Sequence, residues 1–141
     1  MLKCTSAVLV VTLGLVASGC KGPTDPSQNT TQTFTATVAP GGLDVKPVVV
    51  GNTGEFNIKL TALTPGNVFL GVAWGQGDGG ANCAPMQSNP GLSSGNVGRT
   101  VISGSIFIKG NYCVVVFDPA NSVAIAPWPV AQTYTVEVNH P

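Results

Sequence analysis

The fold of this chain is decided by one stretch, Gly110-Asn111-Tyr112-Cys113-Val114-Val115-Val116-Phe117-Asp118. Its middle is an uninterrupted run of aromatic and β-branched residues, which favour strands and fit a strand that is buried on both faces. Gly-Asn opens the run and Asp118-Pro119 stops it, and such residues are typical of turns. We therefore predict a central strand here and place the other elements around it.

The composition of the chain limits its fold class. Its 141 residues are the length of a single domain. Six Lys and Arg balance six Asp and Glu, and we exclude nucleic-acid binding because that function needs a basic surface. Eighteen Gly and eleven Pro, together with abundant Val, favour many short strands and turns over helices.

Residues 1–19 have the pattern of an export signal. A short positive start with Lys3 precedes an uncharged apolar run over 6–16, which is too short to span a bilayer and predicts a cleaved segment. The sequence VASGC at 16–20 then resembles the lipobox of bacterial lipoproteins. The resemblance implies cleavage before Cys20, a diacylglycerol thioether on its sulfur and acylation of the new amine. The alternative is a plain signal peptide with a chance cysteine.

Residues 20–32 are predicted to be the lipidated cysteine and a flexible tether, because KGPTDPSQNTTQ at 21–32 contains no large apolar side chain. The β domain is then predicted over 33–141. In lipoproteins of bacteria with two membranes, an Asp after the cysteine favours the inner membrane. Lys21 stands there in this chain, so the resemblance implies a protein of the cell envelope, anchored in the outer membrane.

The cysteines predict one disulfide. Cys4 leaves with the signal peptide and Cys20 carries lipid, so Cys83 and Cys113 remain. An exported pair is expected to be oxidised, and two free thiols are the alternative. A zinc site is set aside, because two cysteines with the distant His140 cannot supply four ligands.

From Thr33 onward apolar and polar residues alternate with a period of two, as in half-buried strands. No segment has helical spacing, and residues 75–98 read as a long loop pinned at Cys83. Pro47 has no backbone N–H to donate to a neighbouring strand, so the segment 43–50 is predicted to be an edge strand. About seven or eight strands predict an all-β, antiparallel two-sheet β-sandwich. The predicted strands are 33–38, 43–50, 55–63, 68–74, 100–108, 110–117 and 131–139. Residues 100–108 form either one strand or two short extended pieces that are broken near Gly104.

Three segments resemble a known domain type: GVAWG at 71–75, GNYCVVVFD at 110–118 and YTVEVNHP at 134–141. They are similar to small bacterial lipoproteins whose domain is like the bacterial pre-peptidase C-terminal type β-sandwich. The resemblance runs from about Thr33 to Pro141 and implies a jelly-roll-like sandwich that is an accessory to another component. Relatives sometimes bind calcium or polysaccharide, and no residue carries either role over to this chain.

Two enzyme motifs occur without the context that they need. GQGDGG at 75–80 matches the dinucleotide pattern G-x-G-x-x-G, but ANCAP follows it where a helix is required. GLSSG at 91–95 matches a hydrolase nucleophile elbow around Ser93, with Asp118 and His140 following in order. That elbow belongs to a strand-to-helix turn in a large α/β sheet. We predict that the protein is not an enzyme, and a small hydrolase is the enzymatic alternative.

Three residues are candidates for ligand contacts. Trp128 between Pro127 and Pro129 is a rigid loop tryptophan that could stack on a sugar or a protein partner. The alternative is a Trp128 that plugs one end of the sandwich. Asp78 and Asp118 are the calcium candidates, although each loop offers one carboxylate and calcium takes about six to eight oxygens. No cofactor is predicted.

These patterns predict a lipid-anchored, non-catalytic binding or accessory module of the cell envelope. Its partners are the membrane, through Cys20, and a polysaccharide or an envelope protein. The alternative is a structural envelope protein that contacts other proteins and takes no small ligand. Exposed aromatic residues beside a groove would favour sugar binding, and a large apolar patch would favour a protein partner.

Overall fold

A computed structural model of the chain describes residues 28–121 and 126–141. The predicted signal peptide, the predicted lipidation site Cys20 and most of the predicted tether lie outside these residues. In the described part no helix has the length and hydropathy to cross a bilayer. The strands are β1 (Thr30–Val38), β2 (Leu43–Val50), β3 (Gly54–Thr64), β4 (Leu70–Gly77), β5 (Cys83–Leu92), β6 (Arg99–Ile106), β7 (Gly110–Phe117) and β8 (Gln132–His140).

The eight strands form two antiparallel sheets with the orders β1-β8-β3-β6 and β2-β7-β4-β5. The first strand pairs with the eighth, the second with the seventh, the third with the sixth and the fourth with the fifth. A long hairpin that is rolled into two facing sheets has this order, which is the jelly roll. The predicted antiparallel, jelly-roll-like sandwich with one disulfide is therefore confirmed.

The predicted central strand is β7, which lies between β2 and β4. Tyr112, Val114 and Val116 point into the core between the sheets. Cys113 and Val115 lie on the opposite face and are buried as well. Burial on both faces explains why the strand shows a continuous apolar run instead of alternation.

Sheet strands with one solvated face keep the predicted alternation. In β3 the side chains of Phe56, Ile58 and Leu60 are buried while the residues between them reach solvent. In β8 the side chains of Tyr134, Val136 and Val138 are buried in the same way. Their apolar faces meet β7 and β4 of the other sheet and form the core.

The prediction of a continuous loop over 75–98 is wrong, because Cys83–Leu92 forms the edge strand β5. Most of its side chains are exposed and it contains Pro85 and Pro90, so no apolar alternation marks it in the sequence. Proline is tolerated because an edge strand pairs on one side only. At the start of the domain, β1 begins at Thr30 and not at Thr33.

The predicted disulfide joins Cys83 to Cys113, with Cα atoms 5.8 Å apart. Because β4 lies between β5 and β7, the start of β5 has to bend over β4 to reach Cys113. Two glycines of β4, Gly75 and Gly77, leave the space that this bend needs. A Cβ on Gly75 would overlap the carbonyl oxygen of Ala84, and one on Gly77 would lie 3.0 Å from the carbonyl oxygen of Tyr112. These glycines of the G-x-G-x-x-G match are therefore needed for packing.

Candidate functional site

Trp128 lies in the core, with 4% of its surface exposed. Its indole Nε1 donates to the carbonyl oxygen of Phe69 at 2.7 Å, and its backbone N–H donates to Asp118 at 3.0 Å. A buried ring presents no face to a ligand. Trp128 is therefore not the exposed recognition platform that its loop sequence suggested, and the alternative of a plug at one end of the sandwich describes it.

Asp118 is buried and ties the β1–β2 turn to the connection between β7 and β8. Its carboxylate accepts the backbone N–H groups of Gly41 at 2.9 Å, Ala120 at 3.0 Å and Trp128 at 3.0 Å. Burial raises the pKa of this carboxyl, and the three N–H donors lower it further than burial raises it, so that its pKa lies below the usual value. The three N–H dipoles point at the carboxylate and compensate its charge. Asp118 therefore has a structural role, and its oxygens have little capacity left to bind a calcium ion.

Asp78 closes the β4–β5 turn, where its carboxylate accepts the backbone N–H of Gly80 at 2.8 Å and the side-chain amide of Asn82. Both hydrogen bonds lower the pKa of Asp78, and the bond from Asn82 has the larger effect.

The two calcium candidates lie far apart, since Asp78 follows β4 and Asp118 follows β7. Because β4 and β7 are antiparallel, the two carboxylates lie at opposite ends of the sandwich. In residues 28–121 and 126–141 no three His, Cys, Asp or Glu side chains cluster as metal ligands do.

The structure does not assemble the residues of the hydrolase motif. Ser93 follows β5 and its backbone N–H donates to Asn96 Oδ1 at 2.9 Å in a 3₁₀ turn. That turn lies beside Leu70 at the start of β4, whereas His140 ends β8 next to Asn57 at the start of β3. β3 runs from the His140 end to the Leu70 end, so Ser93 and His140 are separated by the length of the sheet.

A groove follows the open side of the sandwich, between the edge strands β5 and β6. We call it the β5–β6 groove. It consists of two clefts of about 230 and 420 Å³ that share Gln87. Its polar lining consists of Gln76, Gln87, Ser88, Asn89, Ser103 and Ser105.

The floor of the smaller cleft is an aromatic stack. The ring centroids of Phe56 and Trp74 are 4.6 Å apart, and those of Trp74 and Tyr112 are 5.1 Å apart with the planes 7° from parallel. All three rings are nearly fully buried, which agrees with the core position predicted for Trp74. The stack joins the two sheets and gives the groove a rigid base.

Apolar side chains stand exposed at the same cleft. Phe107 is 83% exposed and Ile108 is 67% exposed, in the turn between β6 and β7, and Met86 of β5 is 65% exposed. The phenol oxygen of Tyr112 donates to the carbonyl oxygen of Ile108 at 2.6 Å. This bond fixes the turn to the aromatic floor, so the exposed phenyl ring is held next to the groove.

The two clefts have no charged lining. Their walls contain no carboxylate, ammonium, guanidinium or imidazole group. Amides and hydroxyls offer both hydrogen-bond donors and acceptors, so the groove can satisfy a neutral polar molecule. It offers no pair of groups that could act as general acid and base.

A third cleft of about 380 Å³ adjoins the groove at Ser103 and Ser105 and continues over the outer face of the β1-β8-β3-β6 sheet. It is lined by further amides, among them Asn57 and Asn139. Gly104 lies between the outer cleft and the groove; a Cβ there would lie 2.9 Å from the Phe56 ring. The polar surface therefore extends around the β6 edge.

The other sheet has an apolar outer face. Leu43 and Val49 of β2 are each 65% exposed. At the Leu43 end of β2 a cleft of about 300 Å³ is lined by Leu43, Pro85, Val115 and Phe117, among others. This second surface lacks the amide-rich lining of the β5–β6 groove.

Phe107 and Ile108 were not identified from the sequence as candidates, because residues 100–108 were predicted to be extended to their end, as one strand or as two short pieces. The structure ends β6 at Ile106 and places the next residues in a turn. Three consecutive large apolar residues, Ile106-Phe107-Ile108, break the period of two. That break was the available signal, since a half-buried strand would have had a polar residue at position 107.

No family model and no curated protein matches the chain. Among solved structures it is similar to the crystal structure of Yersinia pseudotuberculosis-derived mitogen (YPM), with a TM-score of 0.55 and 11% sequence identity, over 79% of this chain and 86% of that one. At this identity the similarity shows a shared β-sandwich fold and nothing more. The resemblance to the pre-peptidase C-terminal type of domain stays a prediction.

Proposed function

We propose that this chain is a lipid-anchored, non-catalytic binding module that holds a neutral polysaccharide in the β5–β6 groove. The observation that carries the proposal is an uncharged lining of amides and hydroxyls with the exposed ring of Phe107 at one end. A sugar ring presents hydroxyls at its rim and C–H groups on its faces. Amides can pair with the hydroxyls, and an aromatic ring can cover a C–H face.

The shape of the groove favours a polymer over a single sugar. The β6 side from Val101 to Phe107 spans about 20 Å at ~3.3 Å per residue, which is longer than one sugar ring. The shared residue Gln87 joins the two clefts, so one chain can lie across both. Because the lining is uncharged, retention should change little with salt concentration.

Anchoring at Cys20 is the second part of the proposal. Cys20→Ala is expected to move the protein from the membrane fraction to the soluble fraction, because each buried acyl CH₂ contributes about 0.8 kcal/mol to membrane binding. Sedimentation of cell envelopes measures the shift. Cys4→Ala is the matched control, since it changes a cysteine of the predicted signal peptide and should leave the anchor in place. Continued sedimentation of Cys20→Ala contradicts the anchor.

Binding is tested with a soluble form of residues 21–141, which contains every described strand. We expect it to be retained on cellulose or chitin, which are neutral, more strongly than on peptidoglycan, which carries carboxylates. Phe107→Ala should weaken retention about tenfold, or about 1.4 kcal/mol, because the stacking face is lost while the floor of the groove remains. Pull-down isotherms measure this change.

Phe69→Ala is the control for this experiment. Phe69 is also an exposed phenylalanine, but it precedes β4 at the other end of the sandwich, and its backbone carbonyl, not its ring, accepts the Trp128 indole. Its substitution should leave retention unchanged. The proposal fails if the wild type binds no neutral polysaccharide, or if Phe107→Ala binds as the wild type does.

A structural envelope protein remains the second candidate because of the apolar outer face of β2. Exposed aliphatic side chains such as Leu43 and Val49 suit a protein surface better than a hydroxylated sugar. If no polysaccharide is retained, and a Leu43→Ser, Val49→Ser double variant loses co-purification with other envelope proteins, this candidate replaces the first.

A further inference from the structure

The two sheets have four edge strands, β1 and β6 in one sheet and β2 and β5 in the other. Natural sheets use proline, charged side chains or an irregular register to prevent such edges from pairing with another strand. β2 contains an exposed proline, Pro47, next to the charged residue Lys46, and Lys46 forms an ion pair with Asp44 at 3.1 Å. β5 has two prolines and two register shifts against β4.

β6 begins with Arg99 and has a register shift opposite Ile58 and Lys59. β1 has none of these features. Its sequence TTQTFTATV contains no proline and no charge. It pairs with β8 over nine residues without a register shift. β1 is therefore the one described edge without such a barrier to strand pairing.

The free side of β1 presents unpaired backbone groups. In an antiparallel pair, alternate residues direct their N–H and C=O groups to the neighbouring strand, and the residues between them direct theirs away. β8 pairs with one side of β1, and no strand of residues 28–121 and 126–141 pairs with the other. An extended strand placed there would find a regular row of donors and acceptors.

The apolar residues of β1 are also incompletely covered. Phe34 and Ala36 pack against the core but remain partly exposed. The corresponding residues of the interior strand β8, Tyr134 and Val136, are fully buried. A further strand beside β1 would cover Phe34 from the open side and complete its burial.

The polar face of β1 is complementary to itself. Its threonines alternate with the apolar residues, and Thr35 and Thr37 form hydroxyl pairs with Thr135 and Thr133 at 2.9 and 2.8 Å. A hydroxyl can donate and accept, so a threonine row can pair with a second threonine row as it does with β8. No charge on β1 repels an identical strand.

We propose that β1 pairs antiparallel with β1 of a second copy of this chain, about a two-fold axis. The two four-stranded sheets then join into one continuous sheet across the dimer. Such an interface is isologous, with the same surface contributed by both copies. The proposal is independent of polysaccharide binding, because β1 is at the opposite edge of its sheet from β6.

Sedimentation velocity of residues 21–141 over a range of concentrations tests the dimer. The wild type is expected to dimerise with increasing concentration. A Thr33→Lys, Thr35→Lys double variant should weaken dimerisation at least about tenfold, because it places like charges opposite one another across the two-fold axis. Both threonines are exposed in the monomer, so the sandwich itself should fold.

Leu43→Lys with Val49→Lys is the matched control. It adds the same charge to exposed positions on the edge of the other sheet and should leave dimerisation unchanged. Amide hydrogen exchange of the wild type gives a second readout without any substitution, since protection of β1 should rise with protein concentration. A wild type that stays monomeric up to millimolar concentration overturns the proposal. So do equal effects of the two double variants, or β1 exchange that is independent of concentration.

Discussion

Trp128→Ala is expected to lower the free energy of unfolding by about 3–5 kcal/mol, the range for large aromatic residues removed from a core. The indole is 4% exposed and belongs to the core cluster, so its removal leaves a cavity at the end of the sandwich. The carbonyl oxygen of Phe69 also loses the donor that it has at 2.7 Å. Urea denaturation of the wild type and the variant measures the difference.

Trp128→Phe is the control for the size of this effect. It keeps an aromatic ring in the core and removes the N–H donor with part of the volume, so we expect a loss of about 1–2 kcal/mol. Retention of Trp128→Ala on polysaccharide, measured below its unfolding transition, should equal that of the wild type. An unchanged unfolding curve together with lost retention would restore Trp128 as the recognition residue.

Removal of the disulfide by Cys83→Ala with Cys113→Ala is expected to cost about 3–4 kcal/mol in the chain-entropy model. The bond joins residues that are separated by 30 positions, and it holds the start of β5 over β4. Without it we expect the start of β5 to open, and Met86 and Gln87 of the groove lie on the same strand. Polysaccharide retention should therefore fall along with stability.

Reductant separates the contribution of the bond from that of the substitutions. Wild-type protein unfolded in urea with and without dithiothreitol should show most of the same loss, whereas the double alanine variant should be insensitive to dithiothreitol. If reduction leaves the wild-type unfolding midpoint unchanged, the stabilising role given to the Cys83–Cys113 bond is wrong.

Much of the sandwich could be predicted because the order of apolar and polar residues within a single segment indicates a strand and its buried face. Alternation places Phe56, Ile58 and Leu60 on one face of β3, and a continuous apolar run marks β7 as a strand that is buried on both faces. Strand β5 was not predicted, because an edge strand with two prolines needs little apolar surface and shows no apolar alternation. Its position is set by the bend over Gly75 and by the disulfide, neither of which is local.

The candidate site was harder to predict, since burial at loops depends on distant partners. The Pro-Trp-Pro segment reads as an exposed connection, and only the carbonyl of Phe69 and the carboxylate of Asp118 explain why Trp128 turns inward. The groove arises between β5 and β6, which belong to different sheets. Its residues come together through the order of the strands in the jelly roll, which no single segment contains.

NMR spectroscopy of residues 21–141 with a soluble cello- or chito-oligosaccharide tests the proposed groove most directly. We predict saturable shifts in the side-chain amides of Gln76, Gln87 and Asn89 and in the aromatic signals of Phe107, with the backbone around Trp128 unaffected. Shifts that cluster on the outer face of β2 around Leu43 and Val49, or no saturable shift with either sugar, would contradict the assignment of polysaccharide binding to the β5–β6 groove.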